Sequence, residues 1–125
     1  MNVKLDTKER FTVITPEEKR LSVNMTEEFN HLLLGFLQKD IPHVVLNMQH
    51  VESVDGSLAE NIARIQQQFY EKDCSLVICS LQKGVEQLLS SKELLEHMNV
   101  TNSESEAWDI LQMEEIERDF LRDDQ

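Results

Sequence analysis

The sequence predicts a single α/β domain, in which a mixed, mostly parallel sheet of four to five strands carries about four helices. The chain has 125 residues, of which 40% are hydrophobic, and this suits one core better than two. Residues 43–48 and 75–80 contain continuous apolar runs that are typical of strands buried on both faces. A helical pattern separates these strands, so the connection is too long for a hairpin and predicts parallel pairing.

The first half of the chain predicts two strands, a helix and a third strand. Residues 3–8 and 11–15 alternate or are β-branched, which indicates a strand pair. Asn24 can cap a first helix that has Glu27 at its third position. Apolar side chains at helical spacing carry this helix to about residue 39, and the strand at residues 43–48 follows.

The second half of the chain predicts further helices around the second buried strand. An amphipathic helix begins at Ser57 and reaches about Lys72. After the strand, residues 83–98 indicate one or two short helical pieces, and residues 100 and 101 a short strand. The last helix starts near Ser103.

The last helix changes its apolar face part of the way along. At 100° per residue, its apolar side chains before residue 112 share one side, whereas Met113, Ile116 and Phe120 cluster roughly opposite. From Glu104 onward the chain has nine acidic and two basic residues. We therefore divide the chain into a domain at residues 1–112 and an acidic helical extension at residues 113–125. The extension is either a bent or frayed solvated helix, or a surface for a partner or a homodimer.

The charge and hydropathy of the chain oppose two classes of function. With 24 acidic and 12 basic residues, the net charge of −12 repels nucleic acid and anionic lipid headgroups. No segment approaches the roughly 20 apolar residues of a membrane span, and the N-terminus lacks the apolar region of a signal peptide. We expect a cytoplasmic protein that binds no nucleic acid and does not insert into a membrane.

No motif indicates catalysis, a cofactor or a metal site. The histidines lack the spacing of a zinc site, and no two of them are three or four residues apart: His31, His43, His50 and His97. The phosphate-binding patterns GxxxxGK[ST] and GxGxxG and the hydrolase pattern GxSxG are absent. We predict no catalytic residues, no cofactor and no metal ligand. A small enzyme whose catalytic groups meet only in space is the more distant alternative.

The segment that leads into the second helix resembles a known family. A buried strand, a loop at residues 51–57 and a helix follow in the order found in the STAS domain of bacterial anti-anti-sigma factors. In that family an Asp, a small residue and a Ser or Thr stand where the second helix starts, and here Asp55, Gly56 and Ser57 occupy these positions. Residues 94–107 are similar to the family's last strand and acidic helix start. The resemblance covers most of the chain.

The resemblance implies a bacterial signal-transduction module that regulates transcription through protein–protein interaction. In the family, the unphosphorylated domain binds an anti-sigma factor that is also a serine kinase, and the phosphorylated domain dissociates from it. By this resemblance Ser57 is the phosphate acceptor, and Asp55, Gly56, Ser57 and Leu58 bind the partner. A phosphate there would meet free N–H groups and the positive end of the helix, and would add about −2 of charge.

Two other interpretations of these residues stay open. The run Ser57-Leu58-Ala59-Glu60 fits a capping box, in which Ser57 and Glu60 each bond a backbone N–H, and a cap alone would explain the serine. The chain also departs from the family, because Gly56 replaces a common hydroxyl residue and Leu58-Ala59 replaces Gly-Leu. The domain could then be a STAS-like subunit or scaffold of a signalling or lipid-transport complex that is never phosphorylated.

Overall fold

A five-stranded sheet forms the centre of the protein. The structure is a computed structural model and describes residues 1–123. The strands in chain order are β1 (Val3–Thr7), β2 (Thr12–Pro16), β3 (Arg20–Leu21), β4 (Val44–Asn47), β5 (Ser53–Val54), β6 (Leu76–Cys79) and β7 (Val100–Thr101). The large sheet has the order β1-β2-β4-β6-β7, in which β1 is antiparallel to β2 and the other pairs are parallel. Strands β3 and β5 form a separate parallel pair.

Within residues 1–123, four α-helices cover the two faces of the sheet. They are α1 (Thr26–Gly35), α2 (Gly56–Glu71), α3 (Lys83–Ser91) and α4 (Glu104–Asp123). Successive residues of a strand point to opposite faces. Accordingly Val44 and Leu46 pack with α1, α2 and α3 in the larger core, whereas Val45 packs with α4 in a smaller one. Among the described helices, none has the length and apolar character to cross a membrane.

The predicted fold class is confirmed. The two apolar runs form the central strands β4 and β6, which pair in parallel with Val44 opposite Leu76 and are buried at every position. Covering helices on both faces leave no solvated side, which explains why these strands do not alternate in polarity. The N-terminal pair and the short strand near residue 100 are also present.

The start of the first helix differs from the prediction. Asn24 is not its cap, because a 3₁₀ turn at Val23–Met25 precedes α1 and Met25 occupies the N-cap position. The backbone N–H of Val23 donates to the carboxylate of Asp55 at 2.8 Å. This long-range hydrogen bond holds the turn, and no local pattern in the sequence reveals it.

Helix α4 uses apolar contacts in its first part and polar contacts in its second. Ala107 and Leu111 are fully buried against the sheet. One turn later the carboxylate of Glu114 accepts hydrogen bonds from Tyr70 Oη at 2.9 Å and Ser75 Oγ at 2.7 Å. Its other oxygen accepts from Asn99 Nδ2 at 3.2 Å. The division at residue 112 stays a prediction, and these contacts cross it.

The opposite side of the extension is apolar and solvent-exposed. Met113, Ile116 and Phe120 have exposed fractions of 57%, 67% and 67%. The change of apolar face that the helical wheel predicts is therefore confirmed for these three side chains. Glu114 and Arg118 lie against the domain while the apolar Met113, Ile116 and Phe120 face water, which reverses the usual pattern of a surface helix.

His43 joins the sheet to α4 through both ring nitrogens. The backbone N–H of Ser75 donates to Nδ1 at 3.1 Å, so the ring proton belongs on Nε2, which lies 3.0 Å from Glu115 Oε1. Burial lowers the pKa of His43, while the carboxylate of Glu115 acts in the opposite direction. A second proton would have to sit on Nδ1 and would displace the Ser75 N–H.

We expect His43 to make the fold less stable in mild acid. Because the pKa in the folded state lies below the ordinary value of 6.5, the unfolded chain takes up this proton first. The free energy of unfolding should fall as the pH drops below about 6.5 and should level off below the folded-state pKa. Denaturant unfolding at a series of pH values measures this slope. His43→Gln should flatten it and the exposed-site control His97→Gln should not; equal slopes in the two variants would contradict the assignment.

Candidate functional site

The small sheet of β3 and β5 positions the start of α2. Strand β5 leads directly into Asp55, and its register places Leu21 opposite Val54. The backbone N–H of Asp55 donates to the carbonyl of Leu21 at 2.9 Å, and that of Glu52 donates to Lys19 at 2.7 Å. The loop before α2 is therefore fixed by backbone hydrogen bonds on one side.

The carboxylate of Asp55 connects three segments of the chain. Oδ1 accepts a hydrogen bond from Arg20 Nη2 at 2.6 Å, and Oδ2 accepts the backbone N–H of Val23 at 2.8 Å. The guanidinium of Arg20 is the main cause that lowers the pKa of Asp55, and the Val23 N–H adds to it. Asp55 is the N-cap residue of α2, yet its side chain makes no capping hydrogen bond. It shapes the surface beside α2 instead.

Gly56 leaves room for a lysine that crosses the first turn of α2. A Cβ at this position would lie 2.6 Å from Lys92 Cε and 3.0 Å from its Nζ. Lys92 follows the end of α3, and its Nζ donates to Glu60 Oε1 at 3.1 Å. A residue with a side chain at position 56 would require the end of the Lys92 side chain to move.

The capping box predicted at Ser57 is wrong. Helix α2 begins at Gly56 with Asp55 as its N-cap, so Ser57 is the second helical residue and not the cap. Glu60, the other member of the predicted box, pairs with Lys92. The hydroxyl of Ser57 lies on the exposed surface of the first turn. Capping therefore does not explain the serine.

The four predicted partner-binding residues divide into a surface group and a buried one. Asp55, Gly56 and Ser57 lie together at the surface, with intermediate or full exposure. The side chain of Leu58 is fully buried in the larger core and supports the first turn from below, and its role in partner binding stays a prediction. The structure adds Arg20 as a surface neighbour that the sequence did not indicate.

The same surface carries no metal-binding cluster in residues 1–123. Within that range, no three His, Cys, Asp or Glu residues are placed to hold a metal ion. The charged groups near Ser57 are engaged with one another, since Arg20 pairs with Asp55 and Lys92 with Glu60. The arrangement offers an exposed hydroxyl on a rigid turn, which suits recognition by another protein.

Solved structures of other proteins share the fold. A candidate anti-sigma factor antagonist from Thermotoga maritima has a TM-score of 0.79 and 21% sequence identity, over 88% of this chain and 94% of that one. The anti-sigma factor antagonist SpoIIAA in its unphosphorylated form has a TM-score of 0.64 and 16% identity, over 89% and 96%. The murine anion transporter Slc26a9 has a TM-score of 0.69 and 15% identity, over 83% of this chain but 18% of the transporter.

Sequence comparison identifies the family. No curated protein matches the chain. The family model for the STAS domain matches residues 2–107, which include the whole sheet, α1 to α3 and the start of α4. Asp55, Gly56 and Ser57 stand at the start of the second helix, as the resemblance implies. The chain belongs to the STAS domain family.

Proposed function

We propose that the chain acts as an anti-sigma factor antagonist that binds an anti-sigma factor with serine kinase activity and is released by phosphorylation of Ser57. The observation that carries this proposal is the exposed Ser57 hydroxyl on the first turn of α2, where it caps nothing. As for the bacterial antagonists it resembles, the proposal implies a cytoplasmic regulator of transcription that is not itself an enzyme.

The surroundings of Ser57 suit a phosphate acceptor that also lies in a binding surface. Free N–H groups and the positive end of the helix dipole face a group attached at the second helical position. The ammonium of Lys92 lies over Gly56, one residue away, so the fold tolerates added negative charge here. The phosphate on Ser57 would add about two negative charges to the surface formed by Asp55, Gly56 and Ser57. A partner bound there would be less complementary in shape and charge.

The alternative is a STAS-like subunit or scaffold of a signalling or lipid-transport complex that is never phosphorylated. The similarity to Slc26a9 favours it, because there the same fold is a small part of a transporter. This function would use the same surface but would be indifferent to ATP. The sequence also predicted a homodimer through residues 113–125, which would use the exposed side chains of Met113, Ile116 and Phe120.

Phosphorylation is tested by incubating the protein with ATP and, in turn, each anti-sigma kinase of the source genome. We expect a mass increase of one phosphate, mapped to Ser57 by peptide analysis and absent from Ser57→Ala. An unchanged mass with every kinase, or a phosphate mapped elsewhere, would favour the scaffold alternative.

Binding is tested with a charge-mimicking variant and a matched control. Ser57→Asp should weaken binding to the kinase about tenfold or more, which is about 1.4 kcal/mol, without changing the melting temperature. Ser105→Asp adds the same charge at another exposed site, also the second residue of a helix, and should bind as wild type does. Equal affinity of Ser57→Asp and Ser105→Asp would contradict the switch.

A further inference from the structure

Helix α4 presents an apolar stripe that the described part of the chain leaves uncovered. The stripe consists of Met113, Ile116 and Phe120, each more than half exposed. Spacings of three and four residues place these side chains on one face of the helix. Three neighbouring large apolar side chains facing water are a typical feature of a protein contact.

The hydrogen bonds on the inner side of α4 fix the direction in which the stripe points. Glu114 accepts from Tyr70, Ser75 and Asn99, and Arg118 Nη2 donates to Ser75 Oγ at 2.9 Å. Rolling the helix to bury the stripe would break all of these hydrogen bonds and would leave polar groups buried without partners. The stripe is therefore held outward by the rest of the domain.

The charges beside the stripe oppose a second copy of the chain as its occupant. On the helical wheel Glu117 flanks one side of the stripe and Asp119 the other, and both are exposed. In an antiparallel pair, Glu117 would face Glu117 and Asp119 would face Asp119. In a parallel pair, the flank that carries Glu117 would face the flank that carries Asp119. Either arrangement places like charges together, which costs affinity and specificity.

We propose that the stripe is a docking surface for an amphipathic helix of another protein, whose apolar face is flanked by Lys or Arg. The apolar side chains supply the contact area of such a helix pair, and the two acidic flanks select a basic partner. This surface belongs to α4 and is separate from the start of α2, so the proposal does not depend on phosphorylation of Ser57.

The test uses two synthetic peptides of three heptads with Leu at the a and d positions. One has Lys and the other Glu at e and g, and each is fluorescently labelled for anisotropy titrations with the full chain. The variant Ile116→Ser/Phe120→Ser removes apolar surface from the stripe without changing the charge. The control Leu5→Ser/Ile41→Ser does the same at side chains that are 49% and 45% exposed elsewhere. Matching melting curves first establish that both variants fold.

We expect the Lys peptide to bind the wild type and the control with equal affinity. Its affinity for the stripe variant should be lower by about tenfold or more. The Glu peptide should not bind. Equal binding of the Lys peptide to the stripe variant would show attraction by net charge alone and would overturn the proposal. Binding of the Glu peptide to the wild type would also overturn the proposal, and so would a failure of both peptides to bind. A wild-type dimer that the stripe variant turns into a monomer in sedimentation would identify a second copy as the occupant.

Discussion

Replacing Leu58 by alanine is expected to lower the free energy of unfolding by about 2–5 kcal/mol, the usual cost of such a truncation in a packed core. Leu58 is fully buried and belongs to the larger core, together with Ala59 and Ile62 from the same helix. The cavity left by the alanine would lie beneath the first turn of α2, at the candidate site. Denaturant unfolding followed by circular dichroism measures the change.

The neighbouring variant Ser57→Ala is the matched control and should stay within about 0.5 kcal/mol of the wild type. Its hydroxyl is exposed and is not the N-cap of α2. A loss near 1 kcal/mol would instead be the cost of a removed cap and would restore the capping box. The contrast separates fold from function at adjacent positions, because Ser57→Ala should keep the fold while it removes the proposed phosphate acceptor.

The central elements were predictable because their signals are local. Strands β4 and β6 are short apolar runs, and α2 has an apolar stripe over four turns, so each can be recognised without knowing its neighbours. Their parallel pairing follows from the length of the connection alone. The resemblance to the STAS family depended on the same order of elements.

The details of the candidate site were less predictable because they depend on distant residues. Asp55 and Ser57 can both cap a helix, and the sequence favoured the serine because Glu60 completes a box with it. The hydrogen bond from the Asp55 N–H to the Leu21 carbonyl instead keeps Asp55 in an extended conformation after β5, so that α2 begins at Gly56. Likewise, nothing local joins Arg20 to Asp55, which are 35 residues apart.

The orientation of the final helix was likewise not predictable from the local sequence. Its helical wheel revealed two apolar faces, but the wheel does not say which side of the extension lies against the domain. That choice depends on Tyr70, Ser75 and Asn99, three donors from different parts of the chain that converge on Glu114. Hydrogen bonds decide the orientation because the apolar alternative would leave the Ser75 hydroxyl without an acceptor and would break the hydrogen bonds of Tyr70 and Asn99 to Glu114.

Glu114→Ala is accordingly expected to lower the free energy of unfolding by about 2–4 kcal/mol, because the Ser75 hydroxyl loses its acceptor and Tyr70 and Asn99 lose their hydrogen bonds to the carboxylate. The hydroxyl of Tyr70 keeps a weaker contact with the Leu76 carbonyl at 3.4 Å, which limits the loss. Truncation after Gln112 removes the same acceptor and should lower the free energy of unfolding at least as much. The exposed apolar side chains of this segment would not by themselves imply such a loss. Denaturant unfolding of both variants gives these values.

Glu117→Ala is the control, since it removes the same charge from the outward side of α4 and should change stability by no more than about 0.5 kcal/mol. If the two glutamate variants unfold alike, the loss comes from charge or helix propensity and not from the inner hydrogen bonds. The hydrogen bonds of Glu114 would then not be what holds Met113, Ile116 and Phe120 outward. A large difference between the two variants instead means that the fold itself keeps the stripe exposed.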